Sequence, residues 1–169
     1  TYESYGTAVL MRYTLRLLTI QQFQRAATLM CACEELRIKD QKKWGGIPFQ
    51  VGLWVGGSVT PNSRALALEK KFEIRGDKLE EIQNNNPYIL INCPWCGKKL
   101  RASSGDECGE PKQWRLFCPR NSCTFSKHLD SSPDIAIPVV LIDEDIYHRC
   151  PSLIISTVDK FAQIALNAK

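Results

Sequence analysis

Four cysteines in two close pairs constrain this chain more than any other feature. Cys93-Pro94-Trp95-Cys96 and Cys118-Pro119-Arg120-Asn121-Ser122-Cys123 give C-x2-C, 21 intervening residues, then C-x4-C. A Cys-x-x-Cys loop lets two thiolates reach one ion, and the Gly97 that follows relieves the tight turn. Two such loops make up the four-thiolate tetrahedral set of a structural site. The spacing predicts one structural Zn2+ held by Cys93, Cys96, Cys118 and Cys123. Between the halves, Gly105-Asp106-Glu107 reads as a turn and Gln113 to Phe117 as a strand, the layout of a zinc ribbon.

The site reads as closed. A catalytic zinc keeps a position open for water and normally includes His or a carboxylate among its ligands. His128 and Cys108 are the alternative ligands by position. Cys31 and Cys33 fall in a predicted helix and Cys150 precedes Pro151, so these three are expected to be small core residues. Four thiolates carry two more negative charges than zinc neutralises, and Lys98, Lys99, Arg120 and Lys127 lie close in sequence to offset them. Eight cysteines could also form disulfides, but nothing at the start of the chain resembles a secretion signal.

With 169 residues and 44% hydrophobic content, the chain can build one core domain carrying a small subdomain. Its 22 Lys and Arg against 18 Asp and Glu permit a polyanionic partner without requiring one. No apolar run approaches the ~20 residues of a membrane span, so a cytoplasmic protein without a membrane partner is expected. The absence of an initial Met and the helical-looking end suggest a piece of a longer polypeptide.

Around the ribbon the pattern alternates between strand and helix. Ala8 to Tyr13 is an apolar run suited to a strand buried on both faces. Ile20, Phe23, Ala26, Ala27, Met30 and Cys33 then recur at helical spacing, with Thr14 or Thr19 as the cap and Leu36 near the end. Phe49 to Val55 reads as a second strand. Asn62 or Ser63 can cap a helix through Ala65, Leu68 and Phe72 towards Ile82. Ile137 to Ile142, a short acidic helix from Asp143, Ser152 to Ser156, and a last helix from Asp159 complete the series. The expected fold is α/β, a parallel sheet with helices on both faces and a four-cysteine ribbon inserted: 1–87 and 131–169 for the main lobe, 88–130 for the ribbon.

In such sheets functional groups gather beyond the carboxyl ends of the strands. Those positions hold Arg12, Thr14 and Arg16, then Gly56-Gly57-Ser58, then Ser156, Thr157 and Lys160. Hydroxyls, exposed backbone N–H groups and basic side chains form a phosphate-binding set, and several in a row suit a phosphodiester backbone. Ordinary helix capping is the alternative reading of each taken singly. Val139 to Asp145 looks like a nucleotidase strand with a DExD box. The chain has no G-x-x-x-x-G-K-[ST] loop, however, and Asp143, Glu144 and Asp145 are expected instead to sit at a helix start, where they suit the dipole.

The stretch from Gly6 to Ala26 resembles the motif Ia strand and helix of superfamily-2 helicases. Leu153 to Ala162 looks like their motif Ib, and Gly56-Gly57 like their double-glycine motif. Asp143-Glu144-Asp145-Ile146-Tyr147 and Pro151-Ser152 are similar to the large helicase of DISARM-type anti-phage defence systems. The Pro-Thr-Arg that often opens motif Ia is here Tyr13-Thr14-Leu15-Arg16. The resemblance implies a partial RecA-like lobe whose phosphate loop and DExH box lie outside this stretch, so ATP and Mg2+ would be bound only by the full-length parent. It implies DNA, single-stranded or at a duplex–single-strand junction, as partner of Arg12, Thr14, Arg16, Gly56, Gly57, Ser156, Thr157 and Lys160. The other reading is a zinc-ribbon module that binds a protein or nucleic acid without motor activity. Loss of the metal is expected to unfold the ribbon first.

Overall fold

A computed structural model of the chain describes residues 6–57, 59–73, 89–101, 104–108, 112–127 and 135–160. Within them run β1 (Val9–Tyr13), α1 (Arg16–Lys39), a one-turn α2 (Gln41–Trp44), β2 (Val51–Trp54) and α3 (Arg64–Glu73). The short strands β3 (Gly105–Cys108) and β4 (Gln113–Leu116) follow, then β5 (Val139–Val140), α4 (Asp143–Arg149) and β6 (Leu153–Thr157). The expected parallel sheet is present. Its order is β1-β6-β2-β5, every pair parallel, so the last strand lies between the first two.

The central strands carry the burial. All four residues of β2 are buried, and β6 is buried from Ile154 onward. Gly52 of β2 faces a close neighbour: a Cβ there would lie 2.8 Å from Pro151 Cγ and 3.4 Å from Ile146 Cγ1. The backbone packs directly against the Pro151 ring, and only glycine leaves room for it.

Two strands depart from expectation. β1 is not buried on both faces: Val9, Leu10 and Met11 are 49%, 46% and 41% exposed. It is an edge strand, with β6 as its one neighbour among the described residues. The strand expected over Ile137 to Ile142 pairs with β2 only at Val139 and Val140. Pro138 has no N–H to donate, and the chain changes partner around it. Ile137 donates its N–H to Leu116 O of the ribbon at 2.8 Å, while Pro138 O accepts from Val51 of the main sheet at 3.0 Å.

α1 starts at Arg16 with Leu15 at its cap position and no side-chain cap, so neither Thr14 nor Thr19 plays that part. Thr19 lies inside the helix, its hydroxyl donating to Leu15 O at 2.9 Å. The buried stripe is Thr19, Phe23, Ala27, Cys31, Glu34 and Arg37, narrower than the expected apolar face, with Ile20, Ala26, Met30 and Cys33 at its margins. Glu34 and Arg37 form a buried ion pair at 2.8 Å. Glu34 also accepts the Phe49 N–H, and Arg37 donates to Gly46 O at 3.2 Å, which fixes the approach to β2. In α3, Ser63 is the cap, its hydroxyl accepting from Leu66 N at 3.3 Å. Ala67 is buried, whereas Ala65 is exposed. The continuation towards Ile82 and the last helix beyond Lys160 lie outside the described residues.

The predicted turn at Gly105 to Glu107 is instead part of β3, which pairs antiparallel with β4: Asp106 lies opposite Arg115 and Glu107 opposite Trp114. Opposite charges across the ladder favour that pairing.

Candidate metal centre

The Sγ atoms of Cys93, Cys96, Cys118 and Cys123 all lie within 4.8 Å of one another, with Cys96 and Cys118 3.5 Å apart. A Zn–S bond of ~2.3 Å implies tetrahedron edges of about 3.8 Å, so the donor set and its spacing fit a four-thiolate zinc site. Local backbone builds each half. Gly97 at φ +72° closes the first knuckle, with Cys93 N donating to Lys98 O at 2.8 Å and Gly97 N to Cys93 O at 2.9 Å. In the second, Cys123 N donates to Arg120 O at 2.9 Å and Cys118 Sγ accepts from Arg120 N at 3.4 Å. Such N–H···S contacts stabilise thiolates.

Burial pushes the Cys118 thiol up, and pushes Cys123 to about 11, with the charge at Cys93 adding in both. Cys96 is drawn the other way: although desolvation opposes it, the Lys98 N–H and the three neighbouring sulfurs favour its thiolate. The site is a donor cluster with the composition and spacing to hold a dication. Among the described residues Cys108 lies outside the cluster, and His128 falls outside those residues.

A fifth cysteine stands near. Cys31 of α1 is fully buried, and its thiol is pushed up first by burial, then by the charges of Cys93, Glu34 and Cys96. It is a core residue, as expected. Cys33 is only partly buried, and Cys150 is exposed, occupying the left-handed C-cap of α4 at φ 45°. For Cys150 the expectation of a core position fails, because a helix terminus places it at the surface.

The ribbon shares its core with the sheet. Cys93, Leu100, Trp114, Leu116, Cys118, Cys123 and Phe125 belong to one buried cluster with Phe23, Ala27, Cys31, Val51 and Leu53. Polar ties close the seam. Asp145 Oδ2 accepts from Trp114 N at 2.8 Å, and Arg149 Nη1 donates to Trp114 O at 3.4 Å. Arg64 donates to Lys112 O and pairs with Glu144, whose other oxygen accepts the Arg64 N–H at 3.1 Å.

All three acids of the apparent DExD box therefore have structural partners in the first turn of α4. Asp143 meets the Lys160 ammonium at 2.6 Å. Burial pushes the carboxyls of Asp143 and Asp145 up, against the pull of Lys160 on the first and of the Trp114 N–H on the second. Glu144 is held down, by the Arg64 N–H foremost.

The carboxyl ends of β1, β6 and β2 lie side by side, Arg12 opposite Ser156, Tyr13 opposite Thr157 and Ser156 opposite Trp54. This register gathers the three predicted loops at one end of the sheet. Arg12, Thr14, Arg16 and Gly57 are exposed and Gly56 is half-buried. The Arg16 guanidinium comes within 3.6 Å of where a Gly56 Cβ would stand, and the Asn62 side chain within 3.0 Å of the same place on Gly57. Ser156, Thr157 and Lys160 are buried. Lys160 is not a solvent-facing cation: beyond its pairing with Asp143, its ammonium sits 6.0 Å from the Trp54 ring centroid.

No protein-family model matches the chain. Over 168 residues, 97% of its length, it is 38% identical to DISARM protein DrmA of Bacillus paralicheniformis (strain ATCC 9945a / NCIMB 11709 / CD-2). It spans 14% of the length of that relative. No helix among the described residues is long and apolar enough to cross a membrane.

Sequence reasoning missed Arg64 and Arg149, which bind the ribbon hairpin to the lobe, and missed that Cys31, a core residue as expected, lies near the four-cysteine cluster. The contacts of Arg64 and Arg149 join residues 35 to 80 positions apart, for which no local pattern exists. A buried cysteine at helical spacing looks like any small core residue.

Proposed function

We propose that this chain is the part of an ATP-dependent helicase or translocase of a DISARM-type phage-defence protein that grips the nucleic-acid backbone, stapled by a structural zinc. The observation that carries the reading is the convergence of Arg12, Thr14, Arg16, Gly56 and Gly57 at one end of a parallel sheet, in a chain similar over nearly its whole length to a DISARM protein. Cations, a hydroxyl and the backbone N–H groups of glycines suit phosphates. Ser156, Thr157 and Lys160 stand behind them, and Lys160 braces the strand ends through Asp143 and Trp54. ATP and Mg2+ would be bound by parts of the parent outside these residues. The exposed Val9, Leu10 and Met11 fit a sheet that continues into those parts.

The test is fluorescence polarisation of a labelled single strand titrated with the zinc-loaded chain. Binding should be sequence-tolerant and weaken steeply with salt, and an Arg12→Ala/Arg16→Ala pair should weaken it and flatten the salt dependence. No binding at low salt by a folded, zinc-loaded chain would exclude a nucleic-acid grip by this part. A junction substrate distinguishes a duplex-edge preference. The second reading, a ribbon that serves as an interaction module, is favoured by one observation: Trp95 at the knuckle tip is 40% exposed.

A further inference from the structure

We infer that the tips of the two metal knuckles form a second contact surface for single-stranded nucleic acid, with Trp95 as the platform for a base and Lys98 and Arg120 as phosphate contacts. The inference rests on the nucleic-acid reading above and extends it to a part of the chain that the strand-end loops do not include.

Three observations carry it. The first is how the ribbon treats its aromatics. Trp114, Phe117 and Phe125 are 4%, 4% and 0% exposed and supply its core, whereas Trp95 is 40% exposed. The Trp95 ring meets Phe125 at 6.0 Å and 89°, an edge contact that fixes the indole without covering it. An aromatic held rigid and open has lost its conformational entropy before any ligand arrives.

The second is where the charge lies. Residues 89–127 hold seven of the 22 Lys and Arg and three of the 18 Asp and Glu. That surplus of four equals the net charge of the whole chain, so the remaining residues cancel. Zinc with four thiolates carries a formal charge of about −2, and the ribbon remains positive after it.

The third is geometry. Lys98 is two residues past Cys96, and Arg120 two past Cys118, and those two sulfurs are 3.5 Å apart. Lys98 and Arg120 are therefore each two residues from neighbouring sulfurs of one cluster, on the two knuckles of which the first carries Trp95. Both residues are exposed, with no acidic partner among the described residues. Cations flanking an open indole match a strand whose phosphates and bases alternate, and every base offers a face to stack. A protein partner would be expected to cover Trp95 with apolar surface, whereas the other exposed residues within and just after the two cysteine pairs are Gly97, Lys98, Arg120, Asn121 and Ser122, none of them a large apolar side chain.

The test uses anisotropy of a fluorescein-labelled oligo-dT strand with the zinc-loaded chain, each variant first checked for zinc content and circular dichroism. Trp95→Ala should weaken binding roughly 5- to 150-fold, the range of stacking one base. Trp95→Phe keeps a π-face and should retain most of the affinity. Lys98→Gln/Arg120→Gln should weaken binding and reduce the slope against salt. An abasic strand of equal length should bind the wild type more weakly and erase the difference between wild type and Trp95→Ala.

Wild-type affinity in both Trp95→Ala and the double Gln variant overturns the inference. If Arg12→Ala/Arg16→Ala binding falls in that case, the strand-end reading stands alone. Loss in Trp95→Ala with no loss in Arg12→Ala/Arg16→Ala overturns the strand-end reading and leaves the knuckle surface. An equal loss by Trp95→Ala on abasic and ordinary strands overturns stacking. Absence of wild-type binding at low salt overturns both.

Discussion

Asp145 Oδ2 accepts the backbone N–H of Trp114 at 2.8 Å, and this bond ties the ribbon hairpin to the first turn of α4. Both groups are buried, Asp145 at 1% exposure and Trp114 at 4%. Asp145→Ala removes the buried carboxylate that accepts from the Trp114 amide and should destabilise the chain by about 1–3 kcal/mol. Asp145→Asn keeps an acceptor and should cost less. Urea denaturation of the two variants checks the order; equal stabilities would mean that the bond contributes little to docking the ribbon.

Metal removal should reach the sheet. Because Cys93, Cys118 and Cys123 sit in one buried cluster with Val51, Leu53 and Phe23, the ribbon is not a detachable insertion. Chelation is expected to expose β2 amides to hydrogen exchange together with those of β4. Protection of β2 unchanged beside a fully exchanging ribbon would restore the expectation, drawn from sequence, of independent unfolding.

Zinc uptake should release protons and weaken as pH falls. Burial holds the thiols of Cys118 and Cys123 above their ordinary range, Cys123 at about 11, so at neutral pH both are protonated before the ion arrives. Binding must expel those protons, hence affinity rises with pH up to that region and is lost as the solution is acidified. Calorimetry in buffers of different ionisation enthalpy should count at least two protons per ion from this pair. Proton-neutral uptake at pH 7 would contradict it.

Gly52→Ala should be costly although the residue sits in an ordinary strand. The new methyl meets Pro151 Cγ at 2.8 Å, and a proline ring cannot rotate away. A loss of about 1–3 kcal/mol is expected for this overpacking, read as a lowered Tm. An unchanged Tm would show that Pro151 and Ile146 can give way.

Glu144 should have no part in nucleotide hydrolysis by this chain. Both its carboxylate oxygens are engaged by Arg64, and the chain has no phosphate loop. Purified chain should show no ATP turnover, and Glu144→Gln should shift stability by no more than about 1 kcal/mol, as for a partly exposed pair. Turnover that disappears in Glu144→Gln would make the acidic box catalytic.

Much of the candidate metal centre was legible because its signal is local. Two cysteine pairs, a glycine and their spacing specify a ligand set within a few residues, and Cys93, Cys96, Cys118 and Cys123 converge as that spacing requires. The alternation of strands and helices was legible for the same reason, since periodicity is read over a single element. Where local signals competed, they misled: the Gly105-Asp106 turn signal lost to cross-strand pairing with Arg115, and the Thr19 capping pattern lost to a helix already under way.

The sequence by itself determined which sulfurs gather, where most strands and helices form, and which loops end the strands, because each depends on neighbours along the chain. Only the tertiary structure decided that β6 runs between β1 and β2, that Lys160 is buried against Asp143 while Arg12 and Arg16 lie exposed at the strand ends, and that the ribbon and sheet share one core. Those outcomes depend on contacts between residues tens of positions apart. Such contacts are selected by packing and by the pairing of buried polar groups, and neither leaves a period or a spacing in the chain.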